Sequence, residues 1–368
     1  MSNACIWPDY NNCLANLPNS ILKKLGAEPA GDSLPLLDKY LEKDYKNIIV
    51  ILLDGMGKSI VEKHLSPDGP FRSNCRGTYL STFLSTTVAA TTSVITGLQP
   101  CEHAWLGWDC YYPQIDKNVA VFLNTLTGTK TPAADYHVAA KFTPYKTVFE
   151  RIKEAGGEAY ACTPFEPPYY PDFDSSLAAV KELAAKPGKK YIYCYCPEPD
   201  GIMHLTGTAS KETHEKVREL EKAVFDLVSE LKDSIVIVTA DHGHRDQTGS
   251  ARIEDYPDIT DLLLRGPSFE PTVLNLFVKE GKKTEFENEF KKSFGEHFML
   301  LRKEEVIERK LMGTKTPHEN FAAMLGDYIA VSLDGFALYY EEGELASVHA
   351  ALSPDEMEIP LIIFERGE

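Results

Sequence analysis

The sequence predicts an α/β fold with a mostly parallel central sheet and helices on both faces. Three short apolar runs, residues 47–53, 190–196 and 235–238, are rich in β-branched or aromatic residues and too short to cross a membrane. Such uninterrupted runs are typical of parallel strands that are buried on both faces. Segments with helical character lie between them, as crossover connections between parallel strands require. We therefore expect the three runs to belong to one sheet.

The 368 residues suffice for one large domain, and we expect a single domain over residues 1–368. Within it, residues 267–315 alternate apolar runs with Glu- and Lys-rich helical segments in the order β-α-β-α, which we interpret as a small peripheral α+β extension. Near the C-terminus, residues 327–333 and 336–340 are predicted to pair as a hairpin around Asp334–Gly335.

Composition and charge exclude several classes of protein. The chain has 43% hydrophobic and 25% charged residues, which is ordinary for a globular protein, and its formal net charge is −17. This charge argues against binding to a nucleic-acid polymer or a membrane surface, both of which need basic patches. An anionic substrate remains compatible with it if bound cations invert the local field. The N-terminus lacks the pattern of a signal peptide, and eight scattered cysteines predict reduced thiols and a cytoplasmic location.

Acidic residues and histidines follow each predicted strand. Asp54 comes directly after the first strand, Asp241 and His242 follow the third, and Asp200 and His204 lie just beyond the second. The carboxyl ends of parallel strands share one edge of a sheet, where ligands bind. Carboxylate and imidazole groups suit a divalent metal. The alternatives are a helix cap for Asp54 and a plain surface turn for the Asp-His-Gly stretch.

A stretch rich in Thr and Ser, residues 84–98, predicts a helix that begins near Thr87 and ends at Gly97. A hydroxyl at a helix N-terminus meets free backbone N–H groups and can serve as a nucleophile next to a metal. The alternative is a cap without reactivity. His349 fits either a further ligand or an ordinary histidine of the core or surface, and the aromatic residues of 103–113 fit either a substrate cleft or the core.

Taken in chain order, these motifs resemble the alkaline phosphatase superfamily, and within it the type I phosphodiesterase/nucleotide pyrophosphatase group. The resemblance runs from Asn47 to the C-terminus. It implies an alkaline-phosphatase-like fold and a phosphoric ester hydrolase with two divalent metals, with zinc favoured and manganese an alternative. The implied substrate is a small phosphate ester or a nucleotide.

The resemblance also implies a role for each motif residue. One ion would be held by Asp54, Thr87, Asp241 and His242, and the other by Asp200, His204 and His349. Thr87 would be the catalytic nucleophile. It is preferred to Thr86 because of its distance from Thr96-Gly97-Leu98, which is similar to the Thr-Gly-Leu element of the family. His244 could support the ligands from behind or contact the substrate, but a surface position is the preferred interpretation.

Two features leave the substrate class open. Ala90 stands where we expect an Asn that binds a phosphoryl oxygen, so one hydrogen-bond donor is missing there. Residues 352–357 are similar to the C-terminal part of the cofactor-independent phosphoglycerate mutases. A phosphomonoesterase, a phosphonate hydrolase and a phosphomutase of the same superfamily are therefore alternatives. A metal-binding protein without catalytic activity is the alternative from another class.

Overall fold

The structure is a computed structural model that describes residues 5–165, 167–340 and 342–367. The first part of the chain forms α1 (Asn16–Lys24), α2 (Pro35–Asp38), β1 (Asn47–Leu53), α3 (Lys58–His64), α4 (Pro70–Ser73), β2 (Cys75–Leu80), α5 (Thr87–Thr96), α6 (Pro100–His103), β3 (Asp109–Tyr112), β4 (Lys117–Ala120), β5 (Thr125–Leu126), α7 (Val138–Phe142), α8 (Val148–Glu154), β6 (Glu158–Cys162), α9 (Phe173–Ala185) and β7 (Lys190–Cys196).

The remainder forms α10 (Asp200–Thr206), α11 (Lys211–Glu230), β8 (Ser234–Thr239), β9 (Arg245–Asp246), β10 (Gly249–Arg252), a 3-10 turn (Ile253–Asp255), α12 (Pro257–Thr260), β11 (Ser268–Glu270), β12 (Val273–Leu276), α13 (Lys283–Phe294), β13 (Phe298–Arg302), α14 (Lys303–Glu308), α15 (Phe321–Met324), β14 (Tyr328–Ser332), β15 (Phe336–Tyr339), β16 (Ser347–Val348), α16 (Pro354–Met357) and β17 (Glu358–Arg366).

The central sheet has the strand order β2-β17-β8-β1-β7-β6 within the described residues. β1 pairs in parallel with β7 on one side and with β8 on the other. All of its residues are buried, as the continuous apolar run predicted. Only β17 runs against its neighbours β2 and β8, so the sheet is mostly parallel, as predicted.

Two groups of mutually contacting helices cover this sheet. One comprises α1, α5 and α8, and the other comprises α3, α4, α9 and α11. Leu17, Val94 and Ile152 from the first group and Ile60, Val180 and Val224 from the second belong to the same hydrophobic core as β1. Burying apolar area on this scale is what stabilises the central strands and fixes where they end.

A second sheet is antiparallel and has the order β13-β14-β12-β11-β3-β4-β5 in the part of the chain that is described. Residues 267–315 contain β12, α13, β13 and α14 in the expected β-α-β-α order, preceded by β11. Their strands pair with partners outside this range, because β11 pairs with β3 and β12 pairs with β14. The boundaries of the extension and the single-domain division stay predictions.

The predicted hairpin at Asp334–Gly335 is wrong. β14 pairs with β12 along one edge and with β13 along the other, so neither edge is free for β15. The chain turns at Gly335, where φ is +90°, and β15 instead pairs in parallel with β10. The local turn signal was correct, but the tertiary context chose another partner for the second strand.

No helix in the described ranges has both the length and the apolar character that crossing a membrane requires.

Two glycines allow three chain segments to meet below the strand ends. A Cβ on Gly243 would lie 1.9 Å from the carbonyl oxygen of Asp355, and a Cβ on Gly57 would lie 2.5 Å from the Cα of Gly243. The turn after β1, the turn after β8 and helix α16, which precedes the terminal strand, are therefore in backbone contact.

Gly243→Ala should strain this contact, because backbone atoms on both sides leave no room for a methyl group. We expect a loss of roughly 1–3 kcal/mol in the free energy of unfolding, measured by urea denaturation. Gly266→Ala is the matched control, since a Cβ there meets nothing within 4 Å. Equal stability of the two variants would contradict this account of the turn.

Candidate metal centre

The three predicted strand ends do lie side by side. In the register of the central sheet, Leu53 at the end of β1 is opposite Cys196 at the end of β7, and Leu52 is opposite Thr239 at the end of β8. Asp54 therefore follows the central strand with Asp241 on one side. Asp200 begins α10 on the other side, and its backbone N–H donates to the carbonyl of Asp54 at 3.1 Å.

One group of side chains surrounds the imidazole of His242. Its Nε2 lies 3.3 Å from Thr87 Oγ1, 3.3 Å from Asp54 Oδ1 and 3.6 Å from Asp241 Oδ2. Thr87 is the first residue of α5, so its hydroxyl lies beside the free N–H groups of the helix N-terminus. Thr87 is partly exposed, whereas the two carboxylates and His242 are buried. An incoming ligand can therefore reach the hydroxyl.

A second group surrounds Asp200. Its Oδ1 lies 3.4 Å from His204 Nε2, 3.7 Å from His349 Nε2 and 2.6 Å from His244 Nε2. One potential ligand atom from each of these four residues lies within 4.8 Å of all the others. The same holds for Asp54, Asp200 and His242, so Asp200 links the two groups. The structure thus brings together all seven residues that the sequence nominated, while their roles as ligands stay predictions.

The imidazoles are oriented by their other ring nitrogens. Nδ1 of His242 lies 3.0 Å from the carbonyl of Gly243, and Nδ1 of His204 lies 2.8 Å from the carbonyl of Ser347. A carbonyl can only accept, so in each case Nδ1 carries the hydrogen and donates. In the neutral ring, Nε2 then presents a free lone pair to the carboxylates. A ring oriented in this way is prepared to ligate a metal.

Asp54 and Asp241 are carboxyl groups whose ionised forms are unfavourable in their buried positions. Burial raises the pKa of Asp54, and the neighbouring Asp200 raises it further. Burial and then repulsion from Asp54 raise the pKa of Asp241. In the described part of the chain, Asp54 Oδ1 and Asp241 Oδ2 are buried without a hydrogen-bond partner. Buried polar atoms are normally paired, so the two oxygens fit the ligands of a cation.

Asp200 is in the opposite situation. Burial by itself raises the pKa of Asp200, but His204 and His244 outweigh this and hold it well below its ordinary value. Burial lowers the pKa of His349 and brings that of His244 to about 4, so both rings favour the neutral form that binds metals. A carboxylate with imidazoles, here Asp200 with His204 and His349, is a donor set that suits zinc.

Two further residues support the centre and were missed from the sequence. His244, predicted to be on the surface, is 1% exposed and lies between Asp200 and the hydroxyl of Ser347, with its Nδ1 3.0 Å from Ser347 Oγ. The hydroxyl of Tyr195 donates to Asp54 Oδ2. The two-residue spacing of His242 and His244 was an available signal, because alternate residues of an extended segment share one face. Tyr195 had no such signal.

Ala90 does not have the role expected from its position. It is fully buried in the core that contains the central strands, because α5 turns this face toward them. An Asn side chain at this position would enter the core rather than the cleft. The position of Ala90 in the core does not support a missing donor at the site, and its effect on substrate choice stays a prediction.

A cavity of about 380 Å³ opens onto Thr87, Asp200 and His349. Its far wall includes Trp108 and Glu270. Of the aromatic residues in 103–113, Trp108 is 38% exposed and lines this cavity, whereas Trp105 and Tyr112 are buried in the core. The cluster is thus divided between the core and a cavity wall, and a role for Trp108 in a substrate cleft stays a prediction.

The comparison with known proteins agrees with this geometry. A family model described as type I phosphodiesterase/nucleotide pyrophosphatase matches residues 48–353. The chain belongs to the type I phosphodiesterase/nucleotide pyrophosphatase family. No curated protein matches the chain. The family predicted from the sequence is confirmed.

Solved structures confirm the alkaline-phosphatase-like fold. Human ectonucleotide pyrophosphatase/phosphodiesterase 5 superimposes with a TM-score of 0.67 at 18% identity, over 87% of each chain. An inactive murine form of the same protein in complex with AMP gives 0.65 at 17% identity, over 88% of each chain. Phosphonoacetate hydrolase from Sinorhizobium meliloti 1021, in complex with phosphonoformate, gives 0.63 at 16% identity, over 88% of this chain and 91% of that one.

This member of the phosphodiesterase/nucleotide pyrophosphatase family is a phosphoric ester hydrolase. Family members depend on metal ions, and the residues around Asp200 and His242 are candidate ligands for them.

The carboxyl of Glu270 gives a test of the electrostatics beside the site. Burial raises the pKa of Glu270 from 4.5 to about 7. The folded protein therefore retains a proton that the unfolded chain has lost, so stability falls as the pH rises from about 4.5 through 7. Glu270→Gln avoids this loss. We compare the free energy of unfolding of the variant with that of the parent, both metal-free. The difference, variant minus parent, should increase by about 2–3 kcal/mol between pH 5 and pH 8. Urea denaturation across this range measures it, and a difference independent of pH would refute it.

Proposed function

We propose that this enzyme hydrolyses phosphodiesters or nucleotide pyrophosphates through Thr87 as nucleophile, with two divalent metal ions. The observation that carries the proposal is the position of the Thr87 hydroxyl, which is partly exposed, begins α5 and lies 3.3 Å from the buried His242 beside Asp54. A hydroxyl in this position lies at the positive end of the helix dipole and beside side chains that could ligate a cation.

The ligand sets follow from the two groups. Asp54, Thr87, Asp241 and His242 would hold one ion, and Asp200, His204 and His349 the other. Mixed carboxylate and imidazole ligands favour zinc, with manganese as the alternative. His244 would act through Asp200, because its Nε2 lies 2.6 Å from Oδ1 and its ring limits the orientations open to that carboxylate.

The chain's own groups account for the reaction as follows. Bound cations would lower the pKa of the Thr87 hydroxyl and offset charge on the phosphoryl oxygens. The Thr87 oxygen attacks phosphorus in line with the departing alcohol or phosphate, whose bond to phosphorus breaks, and the phosphoryl group stays esterified to Thr87 together with its other ester substituent. Backbone N–H groups at the start of α5 donate to a phosphoryl oxygen. Water then hydrolyses the bond between Thr87 and phosphorus, which releases the phosphate monoester or nucleotide and restores the Thr87 hydroxyl.

A phosphonate hydrolase is the second candidate, since the fold of phosphonoacetate hydrolase matches most of this chain. A phosphomonoesterase, a phosphomutase and a metal-binding protein without activity remain alternatives. In each hydrolase the substrate is a small molecule, and we propose no nucleic-acid polymer or membrane as partner. A cytoplasmic location is likewise proposed; the eight cysteines are free thiols.

Thr87→Ala removes the proposed nucleophile and one of four ligands of one ion. We expect kcat for bis-p-nitrophenyl phosphate to fall by at least about a thousandfold while most of the bound metal remains. Thr91→Ala, one helical turn further along α5, is the matched control and should keep most of the activity. Hydrolysis by Thr87→Ala at the parent rate would show that the nucleophile is misassigned. Loss of activity in Thr86→Ala alone would shift the assignment to Thr86.

Metal content tests the two ligand groups separately. We expect about two ions per chain in the parent enzyme, measured by elemental analysis after dialysis. Asp241→Asn should lower this to about one ion, because it weakens only the group around His242. Asp258→Asn, an exposed carboxylate, is the control. One ion in the parent, or none lost in Asp241→Asn, would contradict the proposed centre.

A further inference from the structure

Three imidazole rings, those of His204, His244 and His349, lie together next to Asp200. Their centroids are 4.7 Å apart for His204 and His244, 5.1 Å for His204 and His349, and 5.0 Å for His244 and His349. The Nε2 atom of each ring faces the same carboxylate oxygen, Asp200 Oδ1, and that of His244 is the nearest at 2.6 Å. The nearly equal spacing of the rings gives no geometric reason to leave His244 out of a ligand set that contains the other two.

The hydrogen-bond partners of His244 determine which of its ring nitrogens carries the hydrogen. The hydroxyl of Ser347 donates its only hydrogen to the carbonyl of Met203 at 2.7 Å, because a carbonyl can only accept. The same hydroxyl oxygen lies 3.0 Å from His244 Nδ1 and therefore accepts from it. In the neutral ring, Nε2 then has a lone pair and no hydrogen, although it faces an oxygen of Asp200.

The other two rings are held in the same tautomer. Nδ1 of His204 donates to the carbonyl of Ser347 at 2.8 Å, and Nδ1 of His349 donates to the carbonyl of Ser85 at 3.3 Å. Ser347 is buried in β16 and thus orients two of the three rings, one through its carbonyl and one through its hydroxyl. In the neutral rings, three Nε2 lone pairs therefore face one carboxylate oxygen.

Four acceptor atoms in this arrangement repel one another unless a positive charge lies among them. A proton on Nε2 of His244 would satisfy the contact with Asp200 Oδ1, but it would leave the lone pairs of the other two rings without a partner. A single divalent ion can bind all four groups, since one potential ligand atom from each lies within 4.8 Å of all the others. Three imidazoles and one carboxylate match the four ligands of a tetrahedral zinc site.

We propose that His244 is the fourth protein ligand of the ion at Asp200, in addition to His204 and His349, so that this ion has no vacant position in the resting enzyme. The inference rests on the metal centre of the proposed function and extends its second ligand set. Four protein ligands are typical of tightly held structural zinc, whereas catalytic zinc usually keeps one position open. Because Asp200 is the one carboxylate of this set, the ion keeps a net positive charge that attracts a phosphate ester.

The direct test is a crystal structure of the parent protein loaded with zinc, in which anomalous scattering locates the ions. We expect His244 Nε2 at about 2.0–2.1 Å from the ion at Asp200, the ordinary bonding distance for zinc and imidazole. A water molecule between His244 and this ion would overturn the fourth ligand and leave the proposed centre intact. The absence of an ion at Asp200 would overturn the proposed centre, and this inference with it.

His244→Gln distinguishes a ligand from a residue that only orients Asp200. The glutamine amide can still donate a hydrogen bond to the carboxylate, but it is a poor ligand for zinc. We expect the Kd of the more tightly bound zinc ion, measured by competition with a chelator, to rise more than about a hundredfold, which exceeds the usual effect of losing an orienting contact. The visible absorption of four-coordinate Co²⁺ in the cobalt-loaded protein should also fall, because water replaces the ring. His214→Gln, a histidine of α11 outside the centre, is the matched control and should change neither quantity.

The outcomes separate this inference from the proposed function. An unchanged cobalt spectrum in His244→Gln, with or without a weaker affinity for zinc, would assign His244 an orienting role and overturn the fourth ligand. If this variant does not fold, the zinc-loaded parent structure decides alone. A zinc-loaded enzyme with His244 bound to the ion that hydrolyses no phosphate ester would refute the proposed function and leave the fourth ligand established.

Discussion

The structure around the strand ends depends on one electrostatic constraint, the negative charge of three carboxylates held close together with little water. Asp54 and Asp241 are buried; Asp200 raises the pKa of Asp54, and Asp54 raises the pKa of Asp241. Removing such groups from water costs several kcal/mol unless opposite charge or hydrogen bonds compensate. The backbone N–H groups of Gly55 and His242 donate to Asp241, and the Tyr195 hydroxyl donates to Asp54. These hydrogen bonds compensate in part, and bound cations would supply the rest. Folding and metal binding are then coupled, because the ligands are preorganised only in the folded chain.

The apolar core holds these carboxylates together through the register of its strands. β1 lies between β7 and β8 with continuous parallel registers, so residues nearly two hundred positions apart end at one level of the sheet. β17 then lies antiparallel beside β8. The loop that leads into it carries His349, whose ring stacks on His242 with 4.0 Å between centroids. A candidate ligand near the C-terminus thus reaches the centre because the last strand belongs to the same sheet.

Local signals in the sequence predicted the central sheet and the residues at its edge. The three apolar runs encode strands by themselves, and Asp54 and Asp241 follow directly from where those runs stop. The antiparallel sheet was not predictable in the same way. Its strands are as short as two residues, and partners such as Phe269 and Asp109 are far apart in the chain, so no local pattern specifies the pairing. His244 was misjudged because burial depends on that tertiary context.

The central sheet carries the candidate ligands, and the second sheet carries most of the cavity walls. This separation explains why the chemistry is easier to predict from the sequence than the substrate. The candidate ligands lie at the ends of the central strands, where position in the chain and position in space are linked by parallel register. The cavity walls come from β3, β11 and the loop after β15, whose contacts form only when the second sheet assembles. Changes in those walls can alter the charge of the cavity without moving Asp54 or Asp241. A single reaction centre can therefore serve different substrates. In this chain the acidic side chains of the cavity walls are the feature that distinguishes the cavity.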